Sequence, residues 1–171
     1  MRIGIIGSNE RAAAIGRLFM GGGHDVTLGD ARSAEAAQQT AARIGAECET
    51  PYNQAMTCDL LVFAFPRPDV DRTLAALGAH PDGVVLDARE GAPAAPHRGA
   101  ELLAHKLDSH RVVRGLVLLP QRGASVPICG DDPEAKALVE AAFQSSGCAA
   151  DDRGPLSTAP ELEAPSASQA A

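Results

Sequence analysis

Aromatic residues are almost missing from this chain of 171 residues, which has no tryptophan, one tyrosine and four phenylalanines. Lysine is nearly absent too: Lys106 and Lys136 are the only two, and the 15 basic residues are outnumbered by 22 acidic ones. A formal charge of -7 with few rings to stack on bases excludes a nucleic-acid surface, which needs a basic face. The four cysteines, Cys48, Cys58, Cys129 and Cys148, contain no C-x-x-C pair. That excludes the usual zinc and dithiol motifs and leaves them as small buried hydrophobes of a reducing compartment. His80, His97, His105 and His110 lie apart without ligand spacing, so no metal is expected. Ser8 and Ser125 sit in no nucleophile-elbow sequence. No apolar run approaches the ~18 residues of a membrane span, and no charged-then-apolar leader precedes the first strand. A cytoplasmic protein without membrane contact is the expectation.

What is present is an ordinary globular composition, 45% hydrophobic and 22% charged, in a length that suits one domain. The stretch around which the chain is organised is Arg2 to Gly16. A short apolar run ends at Gly7, four polar residues follow, and then an alanine-rich segment that reads as a helix. This is strand, tight turn, helix, the place where a doubly wound α/β fold holds a dinucleotide pyrophosphate on backbone N–H groups and the helix dipole. The expected G-x-G-x-x-G reads Gly7-Ser8-Asn9-Glu10-Arg11-Ala12, with only its first glycine kept. Gly7 still makes the turn, and Ala12 is an accepted variant that keeps helix and strand close. Asn9 replaces the glycine at which pyrophosphate meets bare backbone, although it is also a good N-cap. Glu10 stabilises the helix end but repels a phosphate by about 1 kcal/mol at about 4 Å in water. As a bare motif the turn fits a nucleotide site and a purely structural strand-turn-helix alike.

The helix should end at Gly21 to Gly23, and His24 to Asp30 alternates like a second strand. Asp30 lies 23 residues beyond Gly7, where an acidic side chain hydrogen-bonds an adenosine ribose. Arg32 is placed to pair with a 2′-phosphate instead, and the structural alternative for the two is a helix cap and its solvated neighbour. A helix over Ser33 to Ile44, a short strand over Gly45 to Cys48 and a helical segment at Tyr52 to Met56 follow. Asp59 to Phe65 is a continuous apolar run, as in a central parallel strand, and Pro66 stops it. Then come a helix over Asp69 to Leu77, a strand over Gly83 to Asp87, a loop from Gly91 to Gly99 and a helix over Ala100 to Leu107. Strands are expected at Arg111 to Leu119, Ser125 to Cys129 and Cys148 to Asp151. Asp132 and Pro133 mark the start of a helix running to Ser146. The fold class is α/β, a Rossmann-like doubly wound sheet, mainly parallel, with helices on both faces over residues 1–163 and a disordered tail at 164–171.

Taken in order, these segments resemble the coenzyme F420-dependent NADP oxidoreductase family. The resemblance rests on Met1 to Gly7, on Gly23-His24-Asp25-Val26-Thr27-Leu28-Gly29-Asp30-Ala31-Arg32, on Asp59 through Pro66 and on Val84-Val85-Leu86-Asp87-Ala88. It continues through Gly99 to Leu103, Val112-Val113, Cys129 to Asp132, Glu134 to Lys136 and Asp152-Arg153-Gly154-Pro155-Leu156. It implies a dinucleotide, NADP with NAD as the alternative, held by Gly7, Ser8, Asn9, Glu10, Asp30, Arg32, Ala64, Phe65, Pro66 and Ala88. It also implies F420 or a similar hydride acceptor, and a homodimer or protein partner is compatible with it.

The departures fall where ligand belongs. The family's glycine-rich turn becomes Ser8-Asn9-Glu10, the Asn-Ser-Arg-like end of its second strand becomes Asp30-Ala31-Arg32, and its Thr-Asn-Pro becomes Arg89-Glu90-Gly91. Its Lys-Ala-Phe-Asn reads Arg114-Gly115-Leu116-Val117, and the chain stops soon after Glu163, where members usually continue into another helix. Two readings follow: an oxidoreductase whose cofactors carry the chemistry, or a binding or assembly module with a degenerate nucleotide site.

Overall fold

The computed structural model of the chain describes residues 1–78, 80–89, 99–115 and 122–163. The apolar runs become eight strands of one sheet: β1 (Arg2–Ile6), β2 (Asp25–Gly29), β3 (Glu47–Cys48), β4 (Leu60–Phe63), β5 (Val84–Asp87), β6 (Val112–Gly115), β7 (Ser125–Gly130) and β8 (Ala149–Asp152). Their order is β3-β2-β1-β4-β5-β6-β7-β8. Each neighbouring pair is parallel except β6 with β7. Between the strands lie α1 (Glu10–Gly21), α2 (Ala34–Ile44), α3 (Pro51–Thr57), α4 (Val70–Leu77), α5 (Ala100–Leu107) and α6 (Pro133–Ser145). After β8 come a short 3-10 turn (Leu156–Thr158) and α7 (Ala159–Glu163).

Both faces of the central strands are apolar, so both must be covered, and alternate side chains serve two separate cores. Ile3, Ile5, Val62 and Leu86 pack with Ile15 and Phe19 of α1 and Val139 and Phe143 of α6. Ile6, Leu61, Phe63 and Val85 pack on the other face with Leu77 of α4 and Leu103 and Leu107 of α5. Fully burying one such side chain contributes ~1.5–3 kcal/mol. The helices start where the sequence supplies caps. Asn9 accepts from Ala12 N–H, Ser33 from Ala36 N–H, and Asp132 from the N–H groups of Glu134 and Ala135.

The doubly wound α/β class is as expected, and the differences from the expected boundaries have local causes. Ser33 caps α2 and so stands before it. The apolar run from Asp59 pairs only over Leu60–Phe63, because beyond it the chain bends toward Pro66 at the sheet's end. β3 is a two-residue edge strand with both residues exposed. Cys48 is therefore exposed, which corrects the expectation of four buried cysteines; Cys58, Cys129 and Cys148 are buried. The loop expected at Gly91 to Gly99 falls outside the described residues up to position 98. Positions 116–119 of the expected strand and the tail at 164–171 also lie outside them.

Candidate dinucleotide site

The strand order reverses between β1 and β4, and in doubly wound sheets the crevice outside the carboxyl ends of the strands at such a point is the usual ligand position. Gly7 forms one lip. Its φ of 141° is a conformation that side-chain-bearing residues rarely adopt, and a Cβ there would lie 2.7 Å from the Ala64 carbonyl oxygen of the other lip. Gly7 N–H donates to Gly29 O at 2.7 Å, tying the turn to the end of β2 as well. Gly7 thus holds three strand ends together.

Asn9 spans the crevice. Its Oδ1 accepts from Ala12 N–H at 2.9 Å as the α1 cap, and its Nδ2 donates to Ala64 O at 2.9 Å. The amide sits on the helix end where pyrophosphate belongs in a glycine-rich turn. Arg11 reaches further along the same edge, with Nη1 3.3 Å from Ala88 O at the end of β5. Glu10 does not stand alone beside the turn, because its carboxylate is 2.5 Å from Arg43 of α2. That corrects the simple repulsion expected from Glu10, whose charge is partly balanced by its neighbour.

At the tip of β2, Asp30 is buried, with Oδ2 accepting from Ser8 Oγ at 2.5 Å and Oδ1 from Arg32 N–H at 2.7 Å. It is not a helix cap, a role that Ser33 fills. The Arg32 guanidinium lies between two carboxylates, with Nε 3.5 Å from Asp30 Oδ1 and 3.4 Å from Asp69 Oδ2. Thr40 of α2 donates to Ser8 O at 2.9 Å and fixes the turn from behind.

The far side of the crevice rests on a buried charged group. Asp87, at the end of β5, receives two bonds from the Arg89 side chain, Nε to Oδ1 at 2.7 Å and Nη2 to Oδ2 at 3.0 Å. Arg114 of β6 donates to Asp87 O at 2.7 Å, and its guanidinium lies 3.6 Å from Oδ1. Burial pushes the Asp87 carboxyl up, but Arg89 first, then Arg114, and more weakly Arg67, pull it down further, from an ordinary 3.8 to about 2. Arg89 also faces the Phe65 ring, 5.7 Å from its centroid.

The sequence-derived residues therefore gather on one edge. Gly7 and Asn9 meet Ala64 directly, Ser8 is bonded to Asp30, which also holds Arg32, the Ala88 carbonyl accepts from Arg11, and Glu10 is turned to Arg43. Phe65 is buried, its ring packed against Phe63 with centroids 5.1 Å apart. Sequence reasoning overlooked Thr40, Arg43 and Asp69, which come from helices or their ends; it singled out Arg89 and Arg114 as departures from the family pattern without pairing them with Asp87. For that pairing there was a signal: Asp87 and Arg89 directly follow an apolar run, where buried charges must be paired. Among the described residues no group of histidines, cysteines and carboxylates could hold a metal ion, and no helix is long and apolar enough to cross a membrane.

Residues 2–91, more than half of the chain, match the model of the family described as NADP oxidoreductase, coenzyme F420-dependent. The chain belongs to this family. The F420-dependent NADP oxidoreductase match includes the turn, both carboxylates around Arg32 and the Asp87–Arg89 pair. No curated protein matches the chain in sequence. In three dimensions it is similar to a hypothetical protein from Sinorhizobium meliloti, with a TM-score of 0.80, 16% identity, and coverage of 95% of this chain and 89% of that one. A protein from Arthrobacter sp. fb24 to which F420-dependent NADP-reductase activity is ascribed gives a TM-score of 0.75 at 19% identity, covering 94% and 88%. The reductive aminase of Aspergillus terreus, in complex with NADPH and ethyl levulinate, gives 0.72 at 23%, covering 94% of this chain and 57% of the aminase. At these identities the likeness is one of fold.

Proposed function

We propose that the chain is an oxidoreductase that binds NADP(H) across the β1/β4 crevice and passes hydride between its nicotinamide and a deazaflavin (F420) or similar acceptor. The observation that carries this reading is the convergence of the Gly7 turn, the amino end of α1 and the Asp30–Arg32 tip of β2 on one edge of a doubly wound sheet. These residues fit the adenosine half of a dinucleotide: Arg32 is a partly exposed cation at the ribose position, and Gly7 lets backbone approach backbone. The Asn9 amide lies where the pyrophosphate would sit, so binding requires that this side chain share or leave the end of α1.

A bound nicotinamide would supply the hydride chemistry, two electrons exchanged with the acceptor as one hydride. The chain supplies position and charge. Gly7 and the first turn of α1 orient the phosphates, and Arg32 reads the ribose. Arg11 stands beside the path from α1 to β5. The buried Asp87, Arg89 and Arg114 hold one another at the ends of β5 and β6, and would give the nicotinamide half of a bound dinucleotide a rigid support.

Calorimetric titration with NADPH and NADH tests the binding, followed by oxidation of NADPH by F420 read from the absorbance of both. Saturable binding by at least one dinucleotide is expected, and Arg32→Ala should remove most of whatever advantage NADPH holds. If neither dinucleotide binds at millimolar concentration, this reading is wrong.

A further inference from the structure

We infer that Asp69 is a specificity-determining residue: with Asp30 it already engages the Arg32 guanidinium, and it thereby holds down the preference for a 2′-phosphorylated dinucleotide over its unphosphorylated counterpart. This rests on reading the crevice as a dinucleotide site. Asp69 occupies the N-cap position of α4, yet its side chain makes no capping bond. Its backbone N–H closes the preceding turn onto Pro66 O at 3.0 Å, and its carboxylate lies instead 3.4 Å from Arg32 Nε. A residue type favoured as a cap for its own helix is turned to the tip of β2.

The charges at that tip decide the consequence. Asp30, Asp69 and Arg32 sum to one net negative charge, and a 2′-phosphate brings between one and two more at neutral pH. Asp30 cannot yield, because it is buried and both of its oxygens are held, by Ser8 Oγ at 2.5 Å and Arg32 N–H at 2.7 Å. Asp69, with its side chain 22% exposed, is the carboxylate that a phosphate must displace or tolerate. A free ribose makes no such demand, since its hydroxyls donate to carboxylates. Arg32 alone would select NADP(H); Arg32 held by Asp69 selects it weakly.

The experiment compares the full-length chain with Asp69→Asn and Asp69→Ser, the second retaining a cap for α4. Each is titrated calorimetrically with NADPH and NADH, and with adenosine 2′,5′-bisphosphate and 5′-AMP, which differ only in the 2′-phosphate. Both variants should bind NADPH and the bisphosphate about five- to tenfold more tightly, with NADH and 5′-AMP changed less than about twofold. Asp69→Glu should restore the original ratio. A fall in NADPH affinity alone would show that Asp69 orients Arg32 for phosphate, and equal changes in all four ligands would show a merely structural role; either overturns the inference while leaving dinucleotide binding intact. Absence of binding by both dinucleotides in every variant would instead remove the proposed function and this inference together.

Discussion

The Arg89 guanidinium clamps the Asp87 carboxylate through two parallel hydrogen bonds, of 2.7 and 3.0 Å, with both side chains fully buried. Bidentate geometry is what makes a buried ion pair tolerable, since it restores to each charge the partners that water supplied. Removing one partner should therefore cost more than the pair contributes. Arg89→Met should destabilise the chain by about 3 kcal/mol by taking two hydrogen bonds from the buried Asp87 carboxylate, which keeps the Arg114 guanidinium 3.6 Å away, whereas the double change Asp87→Leu with Arg89→Met should recover only part of that, since it leaves buried Arg114 without the carboxylate. Urea unfolding of the three proteins measures both; a double variant no more stable than the single one would refute the account.

The same pair sets an acid dependence. The Asp87 carboxyl is held at about 2 when folded against an ordinary 3.8, so protons bind preferentially to the unfolded chain. Its contribution is then fully present above about pH 4 and is lost as pH falls through about 2, amounting to about 2 kcal/mol. Unfolding free energies measured between pH 5 and pH 2 should fall more steeply for the unmodified chain than for Asp87→Asn. Parallel curves would show that other carboxylates govern the acid limb.

Gly7→Ala should be among the most damaging single-methyl additions. The new Cβ meets the Ala64 carbonyl at 2.7 Å, and the backbone φ of 141° is strained for alanine. A loss on the order of 3 kcal/mol is expected, together with any nucleotide binding, because both lips of the crevice must shift. Chemical denaturation and titration on the same sample test this.

Asn9→Gly should trade in the opposite direction. It removes the amide from Ala12 N–H and Ala64 O, opening the turn, and as an N-cap change to glycine it should cost only a few tenths of a kcal/mol plus the lost bond to Ala64, about 1 kcal/mol in all. NADPH affinity should rise about tenfold. Glu10→Asn should add little beyond this, because Arg43 already balances Glu10. Tight binding unimproved by Asn9→Gly would show that the amide does not obstruct the site.

Thiol reactivity checks the placement of β3. In the native chain Cys48 alone should react with a disulfide reagent, the other three only after unfolding, as their burial dictates. Its reaction should be slow near neutral pH, since partial burial first, and then the Glu49 carboxylate, raise the Cys48 thiol. Rapid labelling of a second cysteine would contradict the packing of the sheet.

The sequence by itself determined the fold class and most of the elements, because these follow from local chemistry. An apolar run such as Leu60–Phe63, set between Asp59 and Pro66, reads as a covered strand, Asp132-Pro133 as a helix start, and a strand running into Gly7 before an alanine-rich segment as a sharp turn. Strand order and partners were another matter. That β7 runs antiparallel to β6, that Cys48 lies on an exposed edge, and that Asp69 faces Arg32 across 37 positions are settled by which surfaces meet, and no periodicity along the chain carries that information. Charge shows the division most clearly. The sequence gives Glu10 and Asp30 their negative charges and Arg32 its positive one, but only packing decides that Arg43 balances the first, that Ser8 holds the second and that Asp69 shares the third. An electrostatic interaction depends on distance and burial, and both are properties of the folded chain.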